Sequence, residues 1–301
     1  MIYFDNASTT KLSDIVKKEM IDNMDLFFNH DSVYADDVKQ KIEQARIQIA
    51  KSINAEPNQI YFTSGGSESN NWAIKETNQK VGDHMITSQI EHKSIINTFE
   101  QCKERGMIVD YVSCNKNGIV PVTDIVSLIK DGTILVSIMM VNNEIGTVNN
   151  IEEIVREVKK IDEKIMVHTD AVQALGKVEI DVKKMNVDYL SLSGHKIHAP
   201  KGIGCLYVKN QESLWPLICG GQQENNLRAG TLNTLGIIAF GKACETLSFP
   251  NYETIEYLKQ RLIEIGAIFN GSSTTNILNF RFKEDIECNQ LLYKLKEQGI
   301  F

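Results

Sequence analysis

Between about residue 55 and residue 210 the chain alternates short β-rich apolar runs with helical patterns, which restricts its fold more than any other feature. Candidate strands lie at 60–63, 84–87, 107–113, 133–141, 165–169, 187–192 and 205–208, with candidate helices between them at 91–105, 124–130 and 151–161. Near-continuous apolar strands joined through helices predict an α/β fold, with a mostly parallel central sheet and helices on both faces. Two amphipathic helices precede this core, and Val38, Ile42, Ala45 and Ile49 recur at helical spacing in one of them. Two further helices are expected at 231–247 and 253–265, the second with Ile255, Leu258, Leu262 and Ile265 on one face. One strand at 277–282 and one helix at 289–298 follow, so a partial small α+β domain is expected beside the large one.

With 301 residues, 42% of them hydrophobic, the chain can fill one large core with an addition. A net charge of −7 argues against nucleic acid as the main partner. The start, Met1-Ile2-Tyr3-Phe4-Asp5-Asn6, lacks the basic and apolar regions of a signal peptide. No apolar run approaches the ~20 residues of a membrane span. The six cysteines form no CxxC pair, so no metal site and no disulfide framework are expected, and a reduced cytoplasmic protein is the simplest reading.

Functional groups in such a sheet collect where strands end. Ser64-Gly65-Gly66-Ser67-Glu68-Ser69 follows one strand and opens a helix, where first-turn N–H groups attract an anion, although a plain capped helix reads the same way. Glu91-His92-Lys93 follows another strand, and His92 could stack on a ring or move protons. Val141-Asn142-Asn143-Glu144-Ile145-Gly146 could orient an oxygen or simply turn the chain. Asp170 ends the run Met166-Val167-His168-Thr169-Asp170, and Gln173 could share a helical face with it. Lys196 lies in Ser193-Gly194-His195-Lys196 after the next strand. A lysine amine and a strand-end carboxylate are the pair that pyridoxal phosphate (PLP) chemistry uses, one for the cofactor aldehyde and one for its pyridine nitrogen. Ser193 and His195 stand close enough to Lys196 to donate to that cofactor's phosphate. Arg228 or Thr231, in the polar stretch 219–231, could supply another phosphate or carboxylate contact.

As a set, these segments resemble the PLP-dependent cysteine desulfurases of the NifS/IscS type, within the fold-type I, class V aminotransferase enzymes. The resemblance runs from Tyr3-Phe4-Asp5-Asn6-Ala7-Ser8-Thr9-Thr10 to the last residues, through 62–70, 91–93, 141–146, 193–196, 200–204 and 227–231. It implies a PLP-binding large domain over 12–247, with 1–11 and 248–301 in the partial small domain. It implies that Lys196 holds the cofactor and shuttles the α-proton while His92 stacks and assists. Asp170 would pair with the ring nitrogen and Gln173 with the ring hydroxyl. Gly66, Ser67, Ser193 and His195 would hold the phosphate, Thr231 would reach the phosphate of a neighbouring subunit in a homodimer, and Asn143 would lie near the substrate, L-cysteine. The implied product is L-alanine, with sulfur leaving as persulfide to an acceptor or scaffold protein.

The chain departs from that pattern in three places. The family's nucleophilic cysteine and its carboxylate-binding arginine follow segments equivalent to 296–301, so none of the six cysteines is expected to serve. The family usually has a proline near Asp31 and a histidine at Tyr34, and Ser67 stands where a threonine is usual. Two other readings therefore stand beside desulfurase: another class V lyase or aminotransferase, and a PLP-binding partner or scaffold without catalysis.

Overall fold

A computed structural model describes residues 2–30, 32–77, 79–272, 275–283 and 287–301, so Asp31 lies outside the described residues. Seven strands form the main sheet: β1 Ile60–Thr63, β2 His84–Ser88, β3 Ile108–Val112, β4 Thr133–Ser137, β5 Met166–Asp170, β6 Tyr189–Ser193 and β7 Gly204–Val208. Their order is β1-β7-β6-β5-β4-β2-β3. Only β7 runs against its neighbours, and the rest share one direction. Every residue of β1, β2, β6 and β7 is buried, which requires cover on both faces. The fold is the α/β architecture read from the alternation.

The helices are α1 Asp14–Asp22, α2 Asp36–Ser52, α3 Gly66–Lys75, α4 Lys93–Glu104, α5 Val122–Leu128, α6 Ile151–Ile161, α7 Val182–Met185, α8 Thr234–Glu245, α9 Tyr252–Glu264 and α10 Cys288–Glu297. The apolar stripe of α2 is core: Val38, Ile42, Ala45 and Ile49 are all buried. It packs closely on α8, where a Cβ at Gly241 would sit 2.5 Å from Ala45 Cα. Only glycine permits that approach.

The free edge of β1 is closed by two side chains. Arg46 donates from one guanidinium nitrogen to the Ile60 carbonyl at 2.6 Å, and Phe62 N–H donates to Glu224 Oε2 at 2.8 Å. The same two side chains pair with each other at 2.9 Å. Glu224 reaches this position from a loop in which Glu224, Asn225 and Asn226 all adopt positive φ, at 50°, 56° and 64°.

Several expected boundaries move. The strand expected at 133–141 ends at Ser137, because the Met139 N–H turns to the Glu91 carboxylate at 2.9 Å. The helix expected at 124–130 begins two residues earlier, after Pro121, and the one expected at 231–247 begins at Thr234, capped by Asn233. The single strand expected at 277–282 is a two-stranded sheet, β8 Ala267–Phe269 with β9 Phe280–Phe282. Residues 275–279 instead clamp the 142–147 loop: Thr275 Oγ1 donates to the Gly146 carbonyl at 3.2 Å and Asn279 Nδ2 to that of Glu144 at 3.1 Å. The amino terminus pairs with the residues that follow α10, with Ile2 bridging to Ile300. No described helix is long and apolar enough to cross a membrane.

Candidate active site

The parallel strands end on one edge of the sheet, and the expected residues gather there. Asp170 closes β5 and is buried. Its Oδ2 accepts from Asn70 Nδ2 at 2.7 Å and its Oδ1 from the Val172 N–H at 2.9 Å. Burial pushes its carboxyl above the usual range, while those hydrogen bonds and the charges of His92 and Lys196 pull the other way. No ion pair reaches Asp170 among the described residues.

Lys196 ends the short turn Gly194–Lys196 that follows β6, the strand beside β5. Its Nζ donates to the carbonyls of Ala7 at 2.5 Å and Ser8 at 2.6 Å. Burial lowers its amine, against the pull of Asp170 and Asp5. Gln173 lies in a turn, not on the helical face the sequence suggested, yet it still belongs to the cluster. Its Nε2 donates to Ala7 O at 2.8 Å, the same oxygen that Lys196 uses. Its buried Oε1 has no partner, and neither has Asn70 Oδ1.

His92 caps α4, where its Nδ1 accepts from the Ser94 N–H at 3.1 Å. Nδ1 also lies 2.8 Å from Ser94 Oγ, and that hydroxyl accepts from Asn70 Nδ2 at 2.9 Å. The Ser94 hydroxyl proton is thus directed at His92 Nδ1. A chain of hydrogen bonds runs from Asp170 through Asn70 and Ser94 to His92, which places the imidazole proton on Nε2. Asn70 is the residue the sequence reading passed over. Its one signal was a carboxamide four residues after Gly66 on a helix face that is otherwise buried.

Gly66 opens α3 with its Cα against β6 and the Asp170 turn. A Cβ there would lie 2.5 Å from Val172 Cγ2 and 3.6 Å from Ser193 Cβ. Gly204 makes the companion approach, since its Cβ would fall 2.7 Å from Gly65 Cα. The first-turn N–H groups of α3 at Gly66 and Ser67 are left without helical acceptors. Ser193 ends β6 and is buried, while Ser67 is exposed. His195 lies 3.1 Å through Nδ1 from Thr9 Oγ1. Burial, with the Lys196 and Lys201 charges, lowers its imidazole to about 4, so it is neutral near pH 7.

Some expectations fall elsewhere. Arg228 is not a free anion ligand, because it forks onto Glu68 with bonds of 2.8 and 3.2 Å. Glu68 in turn accepts from the Ser64 N–H at 2.9 Å, so the pair braces the loop before α3. Asn143 sits half-buried in a turn that its neighbour Asn142 builds, through bonds from the Glu144 and Ile145 N–H groups. Thr231 is exposed ahead of α8. No hydrogen bond among the described residues ties the side chains of Ser67, Asn143 or Thr231 to the Asp170 cluster. Glu91 is a second residue missed in the sequence. Its buried carboxyl takes the Ser88 hydroxyl at 2.6 Å and the Met139 N–H, and burial raises it to about 8. Cys102, Cys205 and Cys244 are buried, and burial pushes the Cys244 thiol up to about 12. No cluster that could hold a metal occurs among the described residues.

The class-V aminotransferase pattern matches residues 2–301. Among curated proteins, a cysteine desulfurase IscS of Clostridium botulinum is 43% identical over 100% of this chain and 80% of its own length. A cysteine desulfurase IscS of Methanosarcina thermophila is 43% identical over 100% of this chain and 78% of its own. Among solved structures, a NifS-like protein superposes with a TM-score of 0.93 at 34% identity, covering 100% of this chain and 86% of that one. SspA in complex with cysteine gives a TM-score of 0.91 at 36% identity over 100% of this chain and 88% of that one. Enzymes of this family use PLP. A strand-end carboxylate, a lysine on the adjacent strand end and a family match over almost every residue agree: the chain belongs to the class-V aminotransferase family.

Proposed function

We propose that this chain is a cysteine desulfurase that uses PLP to convert L-cysteine to L-alanine and passes sulfur, as persulfide, to an acceptor for iron–sulfur clusters or thio-modification. The observation that carries the reading is the buried Asp170 carboxylate, which has no ion-pair partner among the described residues and lies on the strand beside the one that precedes Lys196. An ionised carboxylate in such a place lacks its cation, and a protonated ring nitrogen supplies one. The other residues fit the same group. The orphaned Gln173 Oε1 would accept from a ring hydroxyl. The N–H groups of Gly66 and Ser67, with Ser193 and His195, would hold a phosphate at the start of α3. The missing Cβ at Gly66 lets the start of α3 pack against Val172 and Ser193, which would seat those N–H groups beside Ser193.

When bound, PLP supplies a ring that accepts electrons from the substrate α-carbon. Lys196 would hold the cofactor and then move the α-proton, and its lowered amine keeps more of the free base available. His92, fixed with its proton on Nε2, would stack on the ring and donate from that nitrogen. Asp170 would keep the ring nitrogen protonated. Asn143 would lie near the substrate.

A homodimer completes the proposal, with Thr231 reaching the phosphate bound by a second copy. Exposed apolar side chains support a partner surface: Phe27, Val33, Tyr34 and Trp215 are 81%, 79%, 77% and 61% exposed. A division into a large domain over 12–247 and a small one over 1–11 and 248–301 is supported by the second sheet and by the bridge from Ile2 to Ile300. A cytoplasmic location is supported by six free cysteines. The resemblance places the sulfur-accepting thiol beyond the position of Phe301; this chain spans 80% of the length of the first relative.

The test is reconstitution with PLP, borohydride reduction and peptide mapping, alongside sulfide release from L-cysteine. Lys196 should carry the label, and Asp170→Asn should keep the cofactor yet lose most α-proton exchange. A label on another lysine, or unchanged exchange in Asp170→Asn, would overturn the assignment. Sulfide release that survives Lys196→Ala would overturn it as well.

A further inference from the structure

We infer that the cavity behind Lys196 is a second binding site, which takes a small carboxylic acid with its carboxylate on Lys177 and its apolar body against the end of α8. The cavity has a volume of about 400 Å³ and opens between the amino-terminal segment, the Lys196 turn and residues 243–250. Lys177 lines it, is only 5% exposed, and has no hydrogen-bond partner on Nζ among the described residues. Asn276 lines it too, and its Oδ1 is likewise buried without a partner. Lys196 forms part of the same wall, and among the described residues no aspartate or glutamate lines the cavity.

An ammonium shut away from water without an acceptor is strongly unfavourable, so such a group marks a place where a counter-charge is missing. Burial, with the neighbouring Lys196 charge, lowers the Lys177 amine to about 8, which agrees with that absence. Lys196 already has the carbonyls of Ala7 and Ser8, so Lys177 is the unsatisfied member of the pair. The choice of anion follows from the walls. Leu175, Leu247, Phe249 and Pro250 offer no hydrogen bonds over one side. One ammonium suits a singly charged planar head, which the Asn276 carboxamide can meet only through its Nδ2, because its unpaired Oδ1 is an acceptor. Thr10, Ser13, Thr246 and Ser248 also line the cavity, so the apolar side is what favours a tailed carboxylate over phosphate, which has no apolar body to place there. The occupant is therefore a monocarboxylate with a short apolar tail. Its charge would also favour the protonated forms of both lysines.

The inference does not depend on the desulfurase reading, because borohydride labelling of Lys196 can succeed or fail independently of it. The test uses the PLP-reconstituted full chain and titrates propionate, inorganic phosphate and chloride by calorimetry and by melting. Propionate should bind saturably, and at about 100 times its Kd should raise the melting temperature by roughly 5–10 °C. Phosphate and chloride should not saturate. Lys177→Met removes the unpaired charge at similar volume, so it should melt higher than the parent without ligand and should bind propionate at least tenfold more weakly. Lys177→Arg should keep the binding. No saturable propionate binding overturns the inference, as does equal binding by Lys177→Met or a preference for phosphate. A Lys177→Met protein that melts lower than the parent also overturns it, because the ammonium would then already have a partner.

Discussion

Helices α2 and α9 look alike in the sequence and behave differently in the fold. Both repeat an apolar residue every three or four positions. In α2, Val38, Ile42, Ala45 and Ile49 are at most 1% exposed. In α9, Ile255, Leu258 and Leu262 are half-buried, and Ile265, which caps its C-terminal end, is 66% exposed. Periodicity specifies which face of a helix is apolar, but the surface opposite decides whether that face is buried. Helix α2 lies against α8 and the large sheet. Helix α9 lies against one strand of a two-stranded sheet, which by itself is a marginal support.

The largest expected effect tests this directly. Ile42→Ala should lower stability by about 2–5 kcal/mol, read from denaturant midpoints at constant m. Leu258→Ala in α9 should lose less than half as much, because its surroundings can relax into solvent; equal losses would break the comparison. Gly241→Ala should cost about 1–3 kcal/mol, since its Cβ meets Ala45 backbone at 2.5 Å.

Acid–base behaviour sharpens the contrast, because two strongly shifted groups both lie in the large sheet region. Glu91 is raised to about 8, so between its unfolded value of 4.5 and about 8 the folded state binds the extra proton. Stability should therefore fall as pH rises through that window. Glu91→Gln should remove that fall, which a midpoint series against pH would show; an unchanged slope would mean the carboxyl is ionised. His168 is lowered to about 3 by burial, so from about 3 to its unfolded 6.5 the unfolded state binds more protons and stability should rise with pH. The two slopes oppose each other between 4.5 and 6.5, and the Gln variant should expose the histidine's alone. The smallest expected effect is at Ser94. Ser94→Ala should change stability by roughly 1 kcal/mol or less while shifting the His92 imidazole NMR signals, because Nδ1 loses the hydroxyl and keeps only the backbone N–H of residue 94. Unaltered signals would remove Ser94 from the chain of hydrogen bonds.

Much of this was readable before any coordinates. Apolar runs between turn residues located all seven strands of the main sheet, because both faces of that sheet are covered and alternation is absent. Asp170 and Lys196 were found because strand ends concentrate polar residues. What escaped depended on long-range partners. Asn70 is an ordinary helix residue in the sequence and becomes part of the site only through Asp170, 100 residues away. The strand end at Ser137 was missed because Ile138 to Val141 are as apolar as the strand itself, and only the Glu91 carboxyl shows that the Met139 N–H leaves the ladder. Arg228 was one of two candidate contacts, with Thr231, because its Glu68 partner lies 160 residues upstream.

The Arg46–Glu224 pair also bears on how copies of this chain avoid one another. An open sheet edge offers its N–H and C=O groups as a template to any extended segment, and aggregation begins there. On β1 those positions are occupied: a guanidinium donates to the Ile60 carbonyl and a carboxylate accepts from the Phe62 N–H, as a neighbouring strand would. Three successive residues in left-handed backbone hold the carboxylate in place, a strained arrangement for residues other than glycine. That strain maintains a dummy strand, one that satisfies the edge but cannot be extended. Without the Glu224 side chain the Phe62 N–H would be open and Arg46 would keep only Glu43 as an ion-pair partner, and warm, concentrated protein would find in β1 a site for intermolecular sheet growth.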